Sequence, residues 1–573
     1  MADPMMVMEE LRRNESLCDA VVHVQDSQFK VHKLVLCGCS PFFKALFTTW
    51  SLEDKPYTIP NLTADIMQAF IQFAYTGVVN LTNSNVEELF VAADRFNVAG
   101  IVQACCKFME ESLSPQTCLN VWWLLNNFHY PELKQKVFFY ILRHFQEVVA
   151  SPNFLQLSVE NLISFIESDH LNVRHESQVF EAILLWISHS HQDRHIYIKD
   201  LLPKVRLAFV DCLYFSNNVI GNELIRQHRR CKDYLIKTMS QLLDTRSRGL
   251  PIRPSSPLYN LNRPRVPQTV LMAIGGWNIT HPTMAIELYD NRLKRWTYID
   301  NGDNTPRAYH GTVFLNNFVY VIGGFEGTEP FCTMHKYDMV NHTWTEAANM
   351  HTPRCYVSVT LLDGFIYAMG GFDGNDRLDT AEKYEPETNQ WTMIASMIEQ
   401  RSDASCDSLN GKIYICGGFD GFHCLSSAEC YNPLSNQWTL FTPMSTPRSG
   451  ISVVAHAGEI YVVGGFDGEV RLNTMEAYNP ETRQWRSLSS MFIARSNFGI
   501  AVLDDEIYAV GGFNGYITIC DVEKFDTRTG LWSVVDDLLV PRSALSTCVL
   551  HDLPNMADYS AHGAGHAQAP NED

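Results

Sequence analysis

The chain lacks most of the residue patterns that chemistry at a fixed centre requires. Its 573 residues include 16 cysteines, yet no two stand as a CxxC pair. Neither a paired-cysteine zinc site nor a redox dithiol is therefore spelled out. HExxH, the G-x-S-x-G nucleophile turn and the phosphate-cradling P-loop are also missing, which removes the usual signatures of metalloproteases, serine hydrolases and NTPases. Positive charge is scarce: 44 Lys and Arg face 64 Asp and Glu, a net charge of −20. A nucleic-acid backbone or an anionic membrane is not expected as the main partner, because both are held through Lys/Arg surfaces. No apolar run approaches the roughly 18 residues of a membrane span, and no basic–apolar–small pattern opens the chain. With thiols scattered rather than framed as disulfides, a reduced, cytoplasmic setting is expected.

What is abundant is repetition. A Gly-Gly pair recurs at Gly275-Gly276, Gly323-Gly324, Gly370-Gly371, Gly417-Gly418, Gly464-Gly465 and Gly511-Gly512, at spacings of 48, 47, 47, 47 and 47. Trp296, Trp344, Trp391, Trp438, Trp485 and Trp532 follow at the same spacings, and Arg307, Arg354, Arg401, Arg448, Arg495 and Arg542 recur every 47. Each period reads as four short strands: an arginine-led strand, a buried strand running into Gly-Gly, a third with an aromatic such as Tyr384, and a fourth with the tryptophan. Such a period with paired glycines is that of a kelch-type β-propeller blade. No arginine-led strand precedes the first Gly-Gly, and none of the pairs follows Arg542. The last strand is therefore expected to complete the first blade and leave no open edge.

Before the repeats lie two stretches of different texture. Ala20–Asp26 and Gln28–Lys33 alternate as a β-hairpin. A helix starts at Ser40-Pro41, a second spans about Thr63 to Tyr75 with Gly77 as its stop, and a third opens on a Ser84/Glu87 capping box. Residues 119–243 read as short helices joined by small loops, with Val179, Phe180, Ile183, Leu184 and Ile187 forming one buried stripe. His191 and His195 are four apart but have no third ligand nearby, so they read as a solvated helix end. Five prolines and several arginines make 244–268 a stiff, exposed linker, and the Ala-, His- and Gly-rich 551–573 a disordered tail.

Leu17–Val22, Phe29–Lys33, Ser40–Phe47, Phe73–Gly77 and Leu89–Phe96 resemble a BTB (POZ) domain. Cys118–Val121, Phe154–Leu157, Glu176–Ile183 and Leu201–Arg206 resemble the BACK domain. With six kelch repeats behind them, nearly the whole chain resembles the kelch-like family. The resemblance implies an α+β BTB domain over 1–115, an all-α BACK domain over 116–243, the linker, and an all-β six-bladed propeller over 269–550. It further implies a homodimer with Asp19 near its interface. The implied activity is that of a substrate-recognition adaptor for a cullin-3 RING ubiquitin ligase, itself doing no bond-making. Phe47, Trp50, Glu53 and Tyr75 are the candidate cullin contacts, although Trp50-Ser51-Leu52-Glu53 sets the glutamate three rather than two after the tryptophan of the family's hydrophobic-x-Glu motif. An actin-organising scaffold is the alternative; a copper-oxidase propeller would need His, Tyr and Cys ligands that converge, and nothing in the spacing favours it.

The repeated glycines, tryptophans and Asp-Gly or Asn-Gly turns read as structural. Residues that break the repeat are the better recognition candidates. After Gly-Gly these are Phe325, Glu326, Asp376, Arg377, Arg471 and Tyr516; after the arginines they are Tyr309, Tyr356, Asp403 and Asn497. In kelch propellers the two sets share one face, and its carboxylates and aromatics suit a protein substrate segment with cationic and apolar side chains. No cofactor and no metal are expected.

Overall fold

Alternation between Ala20 and Val31 produces a hairpin, Ala20–Val24 against Ser27–Val31, which Tyr57–Thr58 joins as a parallel edge. The computed structural model describes residues 4–48, 57–248, 263–299 and 305–559, and separates into two units, Met1–Arg265 and Val266–Asp573. In the first unit the helix Pro41–Thr48 follows Ser40, whose hydroxyl accepts from the amides of Phe42 and Phe43. Helix Ala64–Thr76 is capped by Thr63 and closed by Gly77 at φ 69, the left-handed stop that glycine tolerates. The Ser84/Glu87 box does not form. Helix Val86–Arg95 starts later, because the Asn85 side chain turns back to the amide of Thr82 and Ser84 bonds to the Thr82 hydroxyl. Phe90 packs edge-on to Phe128 and Tyr130, so the core runs without a break from the hairpin region into the helices that begin at Cys118–Leu125.

The expected linker is neither unstructured at its start nor exposed at its end. Helix Arg229–Arg248 continues past residue 244. At the other end Arg265 is buried, ion-paired to the equally buried Glu176, and donates to the carbonyls of Ile166 and Ser168 at 3.0 and 2.7 Å. Asp169 binds both Arg206 and Arg263. The carboxylates supply what a buried guanidinium needs, so these arginines anchor the chain instead of spacing it. The prolines 251, 254 and 257 lie outside the described residues.

In the second unit the repeats form six four-stranded antiparallel sheets. Their first strands, Gly311–Leu315, Ser358–Leu362, Ser405–Leu409, Ser452–His456, Gly499–Leu503 and Ser546–His551, lie side by side in a closed cycle. The last of these pairs with Thr269–Ile274, in register Ser546 to Ile274 through His551 to Thr269, so the two ends of the repeat region build one sheet. Closure is also visible in the backbone. The amides of Tyr309, Tyr356, Asp403, Gly450, Asn497 and Ala544 donate, each to the carbonyl of the one before and Tyr309 to Ala544, at 2.7 to 3.2 Å. All six residues have φ between 51 and 57.

Gly-Gly is what lets adjacent sheets touch. Gly370 and Gly371 have φ 62 and 96, and a Cβ on Gly370 would stand 2.3 Å from the carbonyl oxygen of Arg401. In return the Gly371 amide donates to that same oxygen at 2.8 Å. The tryptophans fasten the rim: the indole of Trp391 donates to Ala348 and that of Trp438 to Ala395, each at 2.8 Å, one sheet back.

The stretch 551–573, expected to be a disordered tail, is structured over residues 551–559. Leu553, Met556 and Tyr559 are buried, and the Tyr559 hydroxyl donates to the Met339 carbonyl. Their apolar surface outweighs a polar average over the segment. Residues 560–573 lie outside the described residues.

Two outcomes follow from this closure. Truncation after residue 541 removes both Arg542 and the strand that completes the first sheet, and should abolish the cooperative melting transition of the second unit; an unchanged transition would refute closure by that strand. Glu382→Gln leaves Arg354 buried without its countercharge and should cost roughly 3–5 kcal/mol, measured by denaturant unfolding.

Candidate functional site

Of the cullin-contact candidates of the first unit, the two that are described, Phe47 and Tyr75, are buried. Tyr75 is fully buried; its hydroxyl lies 2.7 Å from both the amide and Nδ1 of His32, and burial pushes it up to about 12. Phe47 is buried between Phe43 and Tyr57. These two support the surface from below, because aromatic rings this deep cannot meet a partner side chain. Trp50 and Glu53 lie outside the described residues. Asp19 is exposed, and its Oδ1 accepts from the amide of Lys33 at 2.7 Å, holding the start of helix Lys33–Cys39. His191 and His195 stack with ring centroids 5.6 Å apart, and no group of three or more His, Cys, Asp or Glu among the described residues could hold a metal.

In the second unit the six arginines are the buried framework of the site. Arg354 donates to the carbonyls of Gly370 and Thr380 at 2.9 and 2.8 Å and pairs with Glu382 at 3.0 Å. Arg401, Arg448, Arg495 and Arg542 repeat this with Glu429, Glu476, Glu523 and Glu287. Arg307 departs from the pattern. His335 stands where the other sheets have glutamate, 3.3 Å from Nη2, and Phe331 covers the guanidinium at 4.6 Å. Beside it His310 is buried, and desolvation, then the charges of Arg307 and Arg542, push it down to about 3.

The two sets of recognition candidates meet on one face. Short bridges join Ala308 to Phe325, Cys355 to Phe372, Ser402 to Phe419, Ser449 to Phe466 and Ser496 to Phe513, tying the residue after each arginine to the residue after each Gly-Gly. The Asp-Gly and Asn-Gly turns are structural: Asp373 accepts from the amides of Asn375 and Asp376, and Asn514 from those of Tyr516 and Ile517. Glu326 and Asp376 are exposed at the tips of this face, and Tyr516 is 91% exposed. Arg377 and Arg471 are partly buried, lying 4.2 and 4.1 Å over Phe372 and Phe466. Each also approaches the next sheet, Phe419 at 5.5 Å and Phe513 at 5.3 Å, so both fasten neighbouring loops. Phe422, 81% exposed, was not among the sequence candidates. Its place directly after a turn glycine, equivalent to Tyr516 after Gly515, is the signal that marks it.

Tyr309, Tyr356, Asp403 and Asn497 surround the centre of the face. They form the mouth of a cavity of about 430 Å³ that runs between the six first strands. The Tyr309 and Tyr356 rings lie 4.1 Å apart, and Asp403 Oδ1 accepts from Asn497 Nδ2 at 2.9 Å. Burial pushes the Asp403 carboxyl up to about 6, against the opposing pull of Asn497 and Arg377. Phe325 stacks with Trp277 at 6.5 Å, away from this mouth.

Three stretches of the chain match known domain families: residues 8–113 the BTB/POZ domain, residues 118–219 the domain described as BTB And C-terminal Kelch, and residues 266–446 and 404–554 the KLHDC2/KLHL20/DRC7 Kelch-repeats domain. The chain is similar to Kelch-like protein 2 of Homo sapiens and of Rattus norvegicus, 33% identical over 326 residues, or 56% of this chain and 54% of the relative. It is also similar to Kelch-like protein 3 of Bos taurus, 33% identical over 327 residues, with the same shares. The chain thus matches about half the length of these relatives. No helix among the described residues is long and apolar enough to cross a membrane.

His310 makes the ring acid-sensitive with a definite sign. Its folded pKa of about 3 lies below the ordinary 6.5, so its contribution is complete above pH 6.5 and is lost as the pH falls toward 3. The full loss is on the order of 5 kcal/mol. Asp403, raised to about 6, works in the opposite direction. The two separate in His310→Leu, which places leucine where Leu545 stands in an equivalent repeat. That variant should lose less stability than wild type between pH 6.5 and 4 in urea unfolding.

Proposed function

This chain belongs to the kelch-like family of BTB, BACK and Kelch-repeat proteins, and we propose from that premise that it is a substrate-recognition adaptor of a cullin-3 RING ubiquitin ligase. The observation that carries the reading is the order of parts on one chain: a BTB match, a BACK match and a Kelch-repeats match. On this reading residues 1–115 and 116–243 dock cullin-3 and dimerise the chain. The six sheets act as the blades of a kelch propeller over 269–550. Its loop face, with Glu326, Tyr356, Asp376, Asp403 and Tyr516, captures the substrate in the cytoplasm. Catalysis is by proximity: holding a substrate lysine beside a recruited ubiquitin-loaded enzyme raises its effective concentration, and a dimer presents two such arms. Trp50 and Tyr75 are assigned to the cullin side, the first as a contact and the second as a buried support of the domain.

Affinity capture with purified cullin-3 tests the ligase arm. Wild type should retain cullin-3 and Trp50→Ala should lose most of it; no retention by wild type would refute the adaptor reading. On the other arm, Glu326→Lys with Asp376→Lys should weaken a recovered substrate by about tenfold or more, read by titration, while cullin-3 capture is unchanged.

A further inference from the structure

The cavity between the first strands has a charge bias that its architecture does not require. Its lining includes two carboxylates, Asp403 and Asp407, and no lysine or arginine. Asp407 is satisfied internally: it accepts from the amides of Ala455 and Ser408 and from the Thr360 hydroxyl. Asp403 accepts only the single bond from Asn497, and among the described residues no cation pairs with it. Arg377 acts on it from a distance, stacked over Phe372 at 4.2 Å with the Tyr356 ring 5.7 Å away, and leaves the carboxylate without a direct ion pair. Farther in, Thr312 is 7% exposed and lines the same cavity with a hydroxyl that has no partner among the described residues.

The mouth itself is asymmetric. Of its six equivalent positions, Gly450 and Ala544 have little or no side chain, which leaves Tyr309 and Tyr356 on one side and the Asp403–Asn497 pair on the other. Gly450 is required for this pairing, since a Cβ there would lie 2.8 Å from Asn497 Oδ1. The closed ring of amide bonds fixes all six backbones, so the side chains are held in place before anything binds. Two tyrosine faces next to a carboxylate, in a concave site walled by low-dielectric sheet, form a receptor for a cation on a flexible stem.

We propose that this mouth admits one cationic side chain of a partner segment, a lysine or arginine, with its charge against Asp403 and its stem packed on the contacting Tyr309–Tyr356 pair. The proposal rests on the loop face being the partner-binding face, and it specifies what the centre of that face reads. Glu326 and Asp376 at the rim favour the same sign of charge during approach.

The test is a ligand-observed NMR titration of the full chain with N-acetyl-lysine methylamide and its norleucine and glutamate counterparts. The lysine probe should bind saturably, and the isosteric but uncharged norleucine probe about tenfold or more weakly. Asp403→Asn keeps a residue that accepts positive φ and should weaken lysine binding by a similar factor, with thermal melting close to wild type. If that variant fails to fold, the lysine-to-norleucine comparison on wild type decides alone. Equal binding of lysine and norleucine, or preference for glutamate lost in Arg377→Gln, would overturn the proposal. Cullin-3 capture by Asp403→Asn should match wild type. A failed lysine probe with intact cullin-3 capture therefore refutes this inference alone, and a bound lysine probe without cullin-3 capture refutes only the ligase reading.

Discussion

One buried arginine per repeat holds the second unit together, through both its side chain and its backbone. The guanidinium of Arg401 donates to Gly417 and Ser427 and pairs with Glu429 inside its own sheet, while its carbonyl receives the amide of Gly371 from the sheet before. A charge removed from water is stable only when a countercharge and hydrogen bonds take over from its hydration. The glutamate, the tight Gly-Gly turn and the carbonyl register are therefore fixed together, and a change in one is felt by two sheets. The Arg307 repeat shows how far the scheme bends. A histidine replaces the carboxylate and Phe331 covers the charge, leaving a seam where the buried His310 and the half-buried His335 stand beside an arginine.

With the framework so constrained, chemical variety is confined to the turns and to the residue after each arginine. Those places share a face because the bridges between them are part of the same framework. On the adaptor reading this separates two demands that would otherwise compete: the interior is uniform enough to close, and the face is irregular enough to select. The central mouth belongs to both. Its backbones are linked in the amide ring, yet its side chains are as different as Tyr356, Asp403 and Ala544.

Features set by neighbours in the chain were legible beforehand. Thr63 and Gly77 cap a helix because a hydroxyl and a missing Cβ act within one turn, and the Asp-Gly turns close on their own amides for the same reason. Where two local solutions compete, spacing does not choose between them: Asn85 stands at the N-cap position, and its side chain turns back to the Thr82 amide instead of capping the helix. Long-range partners were invisible. Glu176 and Arg265 are 89 residues apart, so a proline- and arginine-rich stretch looked exposed when its end is buried. Leu553, Met556 and Tyr559 sit in a stretch whose average composition hides three apolar side chains that find a hydrophobic surface near Met339.

The repeated Gly-Gly, arginine and tryptophan positions determined by themselves that the chain holds six like units, and the unmatched strands at the two ends determined how they join. Period and register are properties of order along the chain. Which irregular residues face one another is not, because it depends on the closed cycle bringing residues 47 or 94 apart to the same centre. Only the tertiary structure placed Tyr309 against Tyr356 and leaned Asn497 over Gly450 to Asp403. It likewise showed that Tyr75 lies under the surface, since burial is decided by what packs around a residue and not by its own identity.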